Sequence, residues 1–417
     1  MIVVPQKQQH WSISHLKSIP GDFSISAVVV GLIATIVSYA GPLLIVFQAA
    51  QSAGLSEAEL SSWIWAISIG SGLTAIILSI WFKTPVITAW STPGAVLLVS
   101  SLTTYPYSDA IGAYLFSAAV ITLLGVSGLF SILMKYVPQS ITTAMLAGIL
   151  LAFGVEVFVS MQHLPALALP MIFCYLFAKR LFPRYAVVLT LLVGLAIAFG
   201  MERLQLDSVQ MTLVNPVFTM PSFSLDAIVG LGIPLCIVTM ASQNAPGIGV
   251  LKADGYDTPA SPLVATTGIA SLLLAPFGSH GINLAAITAA ICTGKEAHQD
   301  RSKRYIAGIA CGAFYLVFGM FGATITSVFF GLPKELIAVI AGLALFASLS
   351  SSLAQAMSDM KEREAALVTF LVTISGISIG GIGAAFWGLI AGVVTNLILN
   401  GNVRSWLTRK KNTQPLA

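Results

Sequence analysis

Charge is what this chain has least of. Only 9% of its 417 residues are Asp, Glu, Lys or Arg, against 57% hydrophobic, and its mean hydropathy is +0.91. A soluble domain carries about 25% charged residues, so a water-exposed globular fold is excluded. Cysteine is scarce too. Cys174, Cys236, Cys292 and Cys311 stand apart in apolar stretches with no C-x-x-C pair, which assigns neither a disulfide framework nor a thiolate metal site. The five histidines form no cluster, so no metal is expected. H-E-x-x-H, G-x-S-x-G, Walker A and Rossmann patterns are missing, as is any loop long enough to be a nucleotide-binding domain. An enzyme or an ATP-driven pump therefore has no support, and no cofactor is expected. The net charge of +4 is no nucleic-acid signal, because the placement of the basic residues explains it. Residues 1–22 contain no apolar core of a signal peptide and read as a cytoplasmic tail.

What the chain does have is apolar length. Its runs give spans at 24–48, 59–82, 85–102, 109–134, 139–160, 164–181, 185–201, 224–246, 259–275, 278–294, 304–330, 334–355, 365–382 and 384–400, fourteen passes in all. A pass needs roughly 20 apolar residues, and two of these are too broken to be one clean helix. TPVITAWSTPGAVLLVSSL (Thr84 to Leu102) and APFGSHGINLAAITAAICTG (Ala275 to Gly294) each open near a proline, run through Gly, Ser, Thr or aromatic residues, and only then become helix-like. A matched pair of interrupted segments in the two halves of a chain is the best sequence pointer to a transporter's substrate site. Asn215 to Ser224, between passes 7 and 8, reads as an external loop or a re-entrant piece.

Basic residues test the count. With the N-terminus inside, 18 of the 20 Lys and Arg fall on the cytoplasmic side, and only Arg203 and Lys334 fall outside. Removing the first broken crossing would send Lys135, Lys179, Arg180, Arg184 and Lys252 outward, against the positive-inside bias. The halves also match weakly. FSISAVVVGLI (Phe23 to Ile33) resembles FSLDAIVGLGI (Phe223 to Ile233), and the breaks align with Pro85 on Pro276 and Gly94 on Ala285. Seven passes per half is odd, so the repeats are inverted and meet near the bilayer midplane. The predicted fold class is thus an all-α membrane protein of fourteen segments in seven plus seven inverted repeats.

The stretches FSISAVVVGLIATIVSYAGPLLIVFQAAQSAGLS, TAWSTPGAVLL and SHGINLAAITAAICTG resemble the benzoate/proton symporter family (BenE-type benzoate membrane transport proteins). Through it the chain resembles the nucleobase–ascorbate and sulfate transporter folds. The resemblance covers nearly the whole chain. It implies a core domain in residues 23–137 (passes 1–4) and 223–331 (passes 8–11). It implies a gate domain in 138–222 (passes 5–7) and 332–402 (passes 12–14), cytoplasmic tails at 1–22 and 403–417, and a short strand followed by a half-helix in passes 3 and 10. The function it implies is secondary active import of benzoate, or a close aromatic carboxylate, with a proton by alternating access across a bacterial-type inner membrane. The alternative is an anion exchanger or uniporter for other small organic acids. A homodimer through the gate domain follows from fold analogy alone. One departure is informative: where the nucleobase carriers place carboxylates in passes 8 and 10, this chain has Gln243 and Ile282. A site without negative charge suits an anionic guest.

The expected site follows from helix ends. A half-helix starting inside the membrane turns unpaired N–H groups and a partial positive charge toward the cavity. Pro93 suits a first helical turn, and Gly94 would let an anion approach the backbone. Asn283, Leu284, Ala285 and Ala286 would supply a second N-terminus, with Asn283 as its cap. Ser91 and Thr92 either donate to the carboxylate or cap the first half-helix. Gln243 and Asn244 either contact the substrate or bond neighbouring helices. Trp90, Tyr39 and Phe277 are candidates to meet an aromatic ring. Gly281 lies between His280 and the second tip. His280 and Glu156 are the candidates for proton coupling, with a structural hydrogen bond and an interfacial position as their plainer readings.

Overall fold

The structure, a computed structural model, describes residues 13–40, 42–129, 138–182, 186–204, 211–377, 379 and 384–400. Most of both tails lies outside these, as do Lys7, Lys135, Arg184, Arg404, Arg409, Lys410 and Lys411, and much of the glycine-rich stretch between passes 13 and 14.

Helices dominate. In chain order they are α1 (Ile13–Asp22), α2 (Ile25–Ala40), α3 (Pro42–Ser52), α4 (Glu57–Phe82), α5 (Thr92–Ser101), α6 (Tyr107–Val126), α7 (Gln139–His163), α8 (Pro165–Leu181), α9 (Ala186–Gly200) and α10 (Leu225–Lys252). Then come α11 (Ala260–Leu274), α12 (Ile287–Thr293), α13 (Tyr305–Met320), α14 (Gly322–Phe330), α15 (Lys334–Ala356), α16 (Arg363–Ile374) and α17 (Ala384–Asn400). Among the described residues seven helices are long and apolar enough to cross a membrane, or eight if a bent pair counts as one. That pair falls on the apolar run 304–330, which is not one straight rod: the chain turns by 68° near Phe321. Apolar side chains such as Leu73, Ile77, Leu123, Phe173, Phe177 and Leu192 project outward, as a lipid-facing surface requires.

Local chemistry sets the element ends. At the start of α4 the Ser56 side chain accepts from Glu59 N–H, and the Glu59 carboxylate accepts from Ser56 N–H, a capping box. At its end Lys83 turns left-handed at φ 48°, and Pro85 cannot continue a helix. The chain then becomes β1 (Thr88–Trp90), which pairs antiparallel with β2 (Ile282–Leu284), placing Thr88 opposite Leu284 and Trp90 opposite Ile282. Each strand runs on into a half-helix, α5 or α12. The second break opens three residues later than the Pro85/Pro276 alignment puts it. A 3-10 turn at Ala275–Phe277 and two positive-φ glycines, Gly278 (103°) and Gly281 (146°), take up the extra length.

The helices pack in two groups. One contains α2, α4, α6, α11 and α13; the other joins α7 to α15 and α16, α8 to α9, and α16 to α17. Close approach in the first group depends on small residues: a Cβ added to Gly72 would lie 2.7 Å from the Gly312 carbonyl oxygen, and one on Gly312 2.6 Å from that of Gly72. Side-chain hydrogen bonds tie each group internally, as with Tyr315 to Ser38 in the first and Ser140 to Glu362 in the second, while Thr239 to Ser91 ties α10 to the start of α5. The segment before α10, read as an external loop, lies extended across one end of the first group. Val214, Thr219 and Ser222 N–H donate to the carbonyls of Met320, Pro276 and Ser108, and Val217 N–H to Ser62 Oγ.

The opposite end carries the basic loops. Asp22 closes α1, which the sequence leaves as part of a tail, and lies 3.6 Å from Lys83 Nζ and 3.8 Å from Lys303 Nζ. Arg301 covers the Tyr256 ring at 4.3 Å. Arg203 and Lys334, the two cations expected outside, border one shared pocket. Burial alone would raise the Asp22 carboxyl, but the Tyr305 hydroxyl it accepts from, with Lys83 and Lys303, holds it below its ordinary value. A lowered folded value contributes stability above the unfolded pKa of 3.8 and loses it as pH falls through the folded value. Asp22→Asn is therefore expected to destabilise the protein at pH 7 by roughly 0.2–1 kcal/mol, the weight of an ion pair at the surface. In thermal unfolding scans the gap to the parent should close in acid.

Candidate functional site

Strand edges have no water to bond inside a membrane, and here side chains take that place. Thr88 Oγ1 donates to Ser71 O (2.7 Å) and accepts from Thr74 Oγ1 (2.8 Å), pinning β1 to α4. Ile282 N–H donates to Ser271 Oγ (2.7 Å) and Leu284 N–H to Asn244 Oδ1 (3.0 Å), pinning β2 to α11 and α10. Asn244 is fully buried. It sits in a widened π turn, Met240–Asn244, a local form often found at functional sites.

The tip of α5 is built around Ser91. Its N–H donates to Gly281 O (3.0 Å) and, with the Asn283 amide oriented to accept, also meets that side chain at 2.9 Å. Its Oγ accepts from Gly94 N–H (3.1 Å) and from Thr239 Oγ1 (3.0 Å). Its carbonyl accepts from Ala95 N–H (2.8 Å) and from His280 Nε2 (2.9 Å). Pro93, in the first turn, has no N–H to lose. Of the residues at this tip, Thr92 and Pro93 line the open space beyond it.

They face a cavity of about 1140 Å³. Its floor is the crossing: Ala89, Trp90, Thr92 and Pro93 from the first break, Ala285, Ala286 and Thr288 from the second, and Ser242 and Gln243 from the π turn. Its far wall comes from the other helix group, through Thr142, Thr143 and Leu146 of α7, Tyr175 and Lys179 of α8, and Leu345, Ser351 and Ser352 of α15. It runs past Pro246 and Ile291 toward the end bearing Lys252 and Lys295, where Gln139, Lys179 and Gln355 are exposed. No Asp, Glu or His is in the described lining, and Lys179 is its one cation. Such a hollow offers hydroxyls, amides, apolar surface and a helix tip, which together accept a small anion with an apolar body.

The residues expected at the site divide into two sets. Trp90, Thr92, Pro93, Gln243 and Ala285 line the cavity. Ser91, Asn244, His280, Gly281, Asn283 and Leu284 stand behind it and hold the crossing. Tyr39 is one layer back, edge-on to Trp90 at 5.5 Å and bonded to Ser68 Oγ at 2.5 Å. Phe277 is at the far end against Trp65, and Glu156 lies on α7 outside the lining. Asn283 is no cap. The strand pairing continues through Ala285 N–H to Ile87 O (2.9 Å), so α12 begins only at Ile287, after Ala286, which makes no side-chain cap. α12 has seven residues, so the second tip is much the weaker of the two. The wall residues of α7, α8 and α15 are absent from the sequence reading. The serine run Ala347 to Ala356 is the sequence feature that falls on this wall, and in an apolar helix it reads first as tight packing.

Gly94 is outside the cavity lining. A Cβ there would lie 2.6 Å from Leu235 Cδ1 and 2.8 Å from Ser91 Oγ, so the glycine accommodates α10. Gly94→Val is expected to lower thermal stability through this clash, by roughly 1–3 kcal/mol as for overpacking. Adding Leu235→Ala should restore much of that loss in the same melting assay, an outcome foreign to a residue that only contacts ligand.

Comparison with known proteins agrees with this architecture. Residues 21–398 match the family described as benzoate membrane transport protein, BenE. The chain is 44% identical over 384 residues to the benzoate membrane transport protein of Acinetobacter baylyi, covering 92% of this chain and 98% of that one. It is 44% identical over 370 residues to the inner membrane protein YdcO of Escherichia coli, covering 89% and 95%. Among solved structures, the transmembrane domain of the cyanobacterial bicarbonate transporter BicA superposes with a TM-score of 0.59 at 15% identity, over 88% of this chain and 97% of that one. SLC26A9 superposes at 0.59 with 14% identity, over 93% and 67%. The last two share the fold alone. This chain, a membrane transporter and not an enzyme, belongs to the benzoate membrane transport protein family.

Proposed function

We propose that this protein is a secondary active transporter that imports benzoate, or a close aromatic carboxylate, together with a proton across an inner membrane. The observation that carries the reading is the cavity between the two helix groups. The β1–β2 crossing forms its floor, Trp63 and His280 are buried behind that floor, and exposed Gln139, Lys179 and Gln355 line the cavity toward the basic loops. The family's naming and the E. coli relative's description as an inner membrane protein support the substrate and the location. Under the positive-inside rule the basic end is cytoplasmic, so fourteen passes in two inverted halves, with both termini inside, would leave this cavity facing inward.

Within the cavity the carboxylate sits at the α5 tip, taking hydrogen bonds from Thr92 and Gln243. The helix end contributes up to ~2 kcal/mol when partly buried. The ring lies against Trp90, Pro93 and Ala285, where burial contributes about 1.5–3 kcal/mol. Ser91, Gly94, Asn244, His280, Gly281, Asn283, Leu284 and Tyr39 act by holding these groups in place. Alternating access follows if the two helix groups, each bonded within itself, move past one another as rigid bodies. A cotransported proton removes an opposing ~2.3 kcal/mol per charge per 100 mV of inside-negative potential. An exchanger or uniporter is the second reading, and the lack of any carboxylate or histidine in the described lining favours it.

Uptake of labelled benzoate into proteoliposomes is expected to rise with an inward proton gradient. Uptake driven by a counter-anion and indifferent to pH would select the exchanger. Gln243→Ala is expected to raise the KM for benzoate about tenfold, the loss of one hydrogen bond to a charged group, with the fold intact in melting scans.

A further inference from the structure

We infer that His280 is a positioning residue, a neutral imidazole that braces the α5 tip, and not the group that carries a transported proton. Both ring nitrogens are committed. Trp63 Nε1–H donates to Nδ1 across 2.9 Å, and Nε2 lies 2.9 Å from the Ser91 carbonyl oxygen. An indole nitrogen only donates and a carbonyl only accepts, so Nδ1 is bare and Nε2 carries the hydrogen. One tautomer satisfies both partners at once.

The surroundings hold the ring in that state. It is 2% exposed, edge-on to Trp63 at 5.5 Å and to Tyr114 at 6.4 Å. Tyr107, tilted over Trp63 at 6.3 Å, and Tyr114 are the titratable side chains that α6 brings to this cluster. A proton added at Nδ1 would aim one N–H at another, and the Trp63 bond would break. The Ser91 carbonyl belongs to the residue that caps α5, between Trp90 and Thr92, both in the cavity floor. The imidazole therefore links α4 to the floor on which the substrate rests. It does so from the side away from the cavity, where it meets neither substrate nor bulk water.

This role rests on the transport reading of the cavity, and the test separates the two. Glutamine at this position can accept from Trp63 and donate to Ser91 but cannot titrate in the relevant range. Purified parent, His280→Ala and His280→Gln are compared for benzoate uptake from pH 5 to 8. The alanine variant loses both bonds and is expected to raise KM about tenfold, the weight of the one that reaches the cavity floor through Ser91, with little change in Vmax. The glutamine variant should recover most of that loss and keep the parent's pH profile. Glutamine as damaging as alanine, with a flattened pH profile in both, would overturn the inference. A second readout needs no transport: nitrogen-15 NMR of histidine-labelled protein, with the His280 signal assigned by its loss in His280→Gln. It should show a protonated Nε2 and a bare Nδ1 throughout that range, and a doubly protonated ring would overturn the assignment. A parent that moves no benzoate would defeat the transport reading, while the NMR result still decides the role of His280.

Discussion

Lipid offers no hydrogen bonds, and that constraint governs the middle of this protein. Two segments abandon the helix halfway through the bundle, exposing backbone donors and acceptors where an unmet one costs several kcal/mol. They satisfy one another by pairing β1 with β2. What pairing leaves open is met by Ser271, Asn244 and the Asn283 amide, with Thr88 and Thr74 anchoring β1 to α4. Among the described residues the buried amide and imidazole side chains, Asn244, Asn283 and His280, all sit at this crossing, where irregular backbone must be accommodated.

A division of labour follows. One set of side chains, centred on Ser91, His280 and Asn244, spends its hydrogen bonds on holding the crossing together. A second set, Thr92, Gln243, Ser242 and Trp90, uses the crossing as a platform and turns toward the cavity. The platform stays with the first helix group, while the opposite wall belongs to the second. A guest bound on the floor would thus meet both groups at once, which is the geometry a moving-barrier mechanism needs. An anion here relies on hydroxyls, an amide and one ten-residue helix tip, with Lys179 toward the exposed end. Weak, distributed attraction suits a carrier, since a guest held by a buried full charge would be slow to leave.

Much of this was readable from the residues. Proline, glycine and serine mark both breaks because they disrupt helices locally, and Ser91 before Thr92-Pro93 carries its own capping signal. Apolar runs between polar breaks place most of the long helices to within a few positions. What escaped depends on distant contacts. Gly94 looked like a cradle for a ligand, yet its neighbour is Leu235, about 140 positions away in sequence. The second break slid by three residues because the turn through Gly278 and Gly281 lengthens it. A serine in an apolar helix reads the same whether it faces a cavity or a neighbouring helix, so the run holding Ser351 and Ser352 reads as tight packing although both line the cavity. His280 was recognised as unusual, but its role depends on Trp63, which lies on another helix.

The central claim is that the α5 tip and the π turn beside it form the substrate platform. A cryo-EM structure of the protein in lipid nanodiscs with benzoate tests it most directly. The account predicts β1 and β2 still paired and density for the ligand on the cavity floor, its carboxylate within hydrogen-bond distance of Thr92 and Gln243 and its ring against Trp90. Benzoate bound elsewhere, or an unbroken helix in place of either strand, would contradict it.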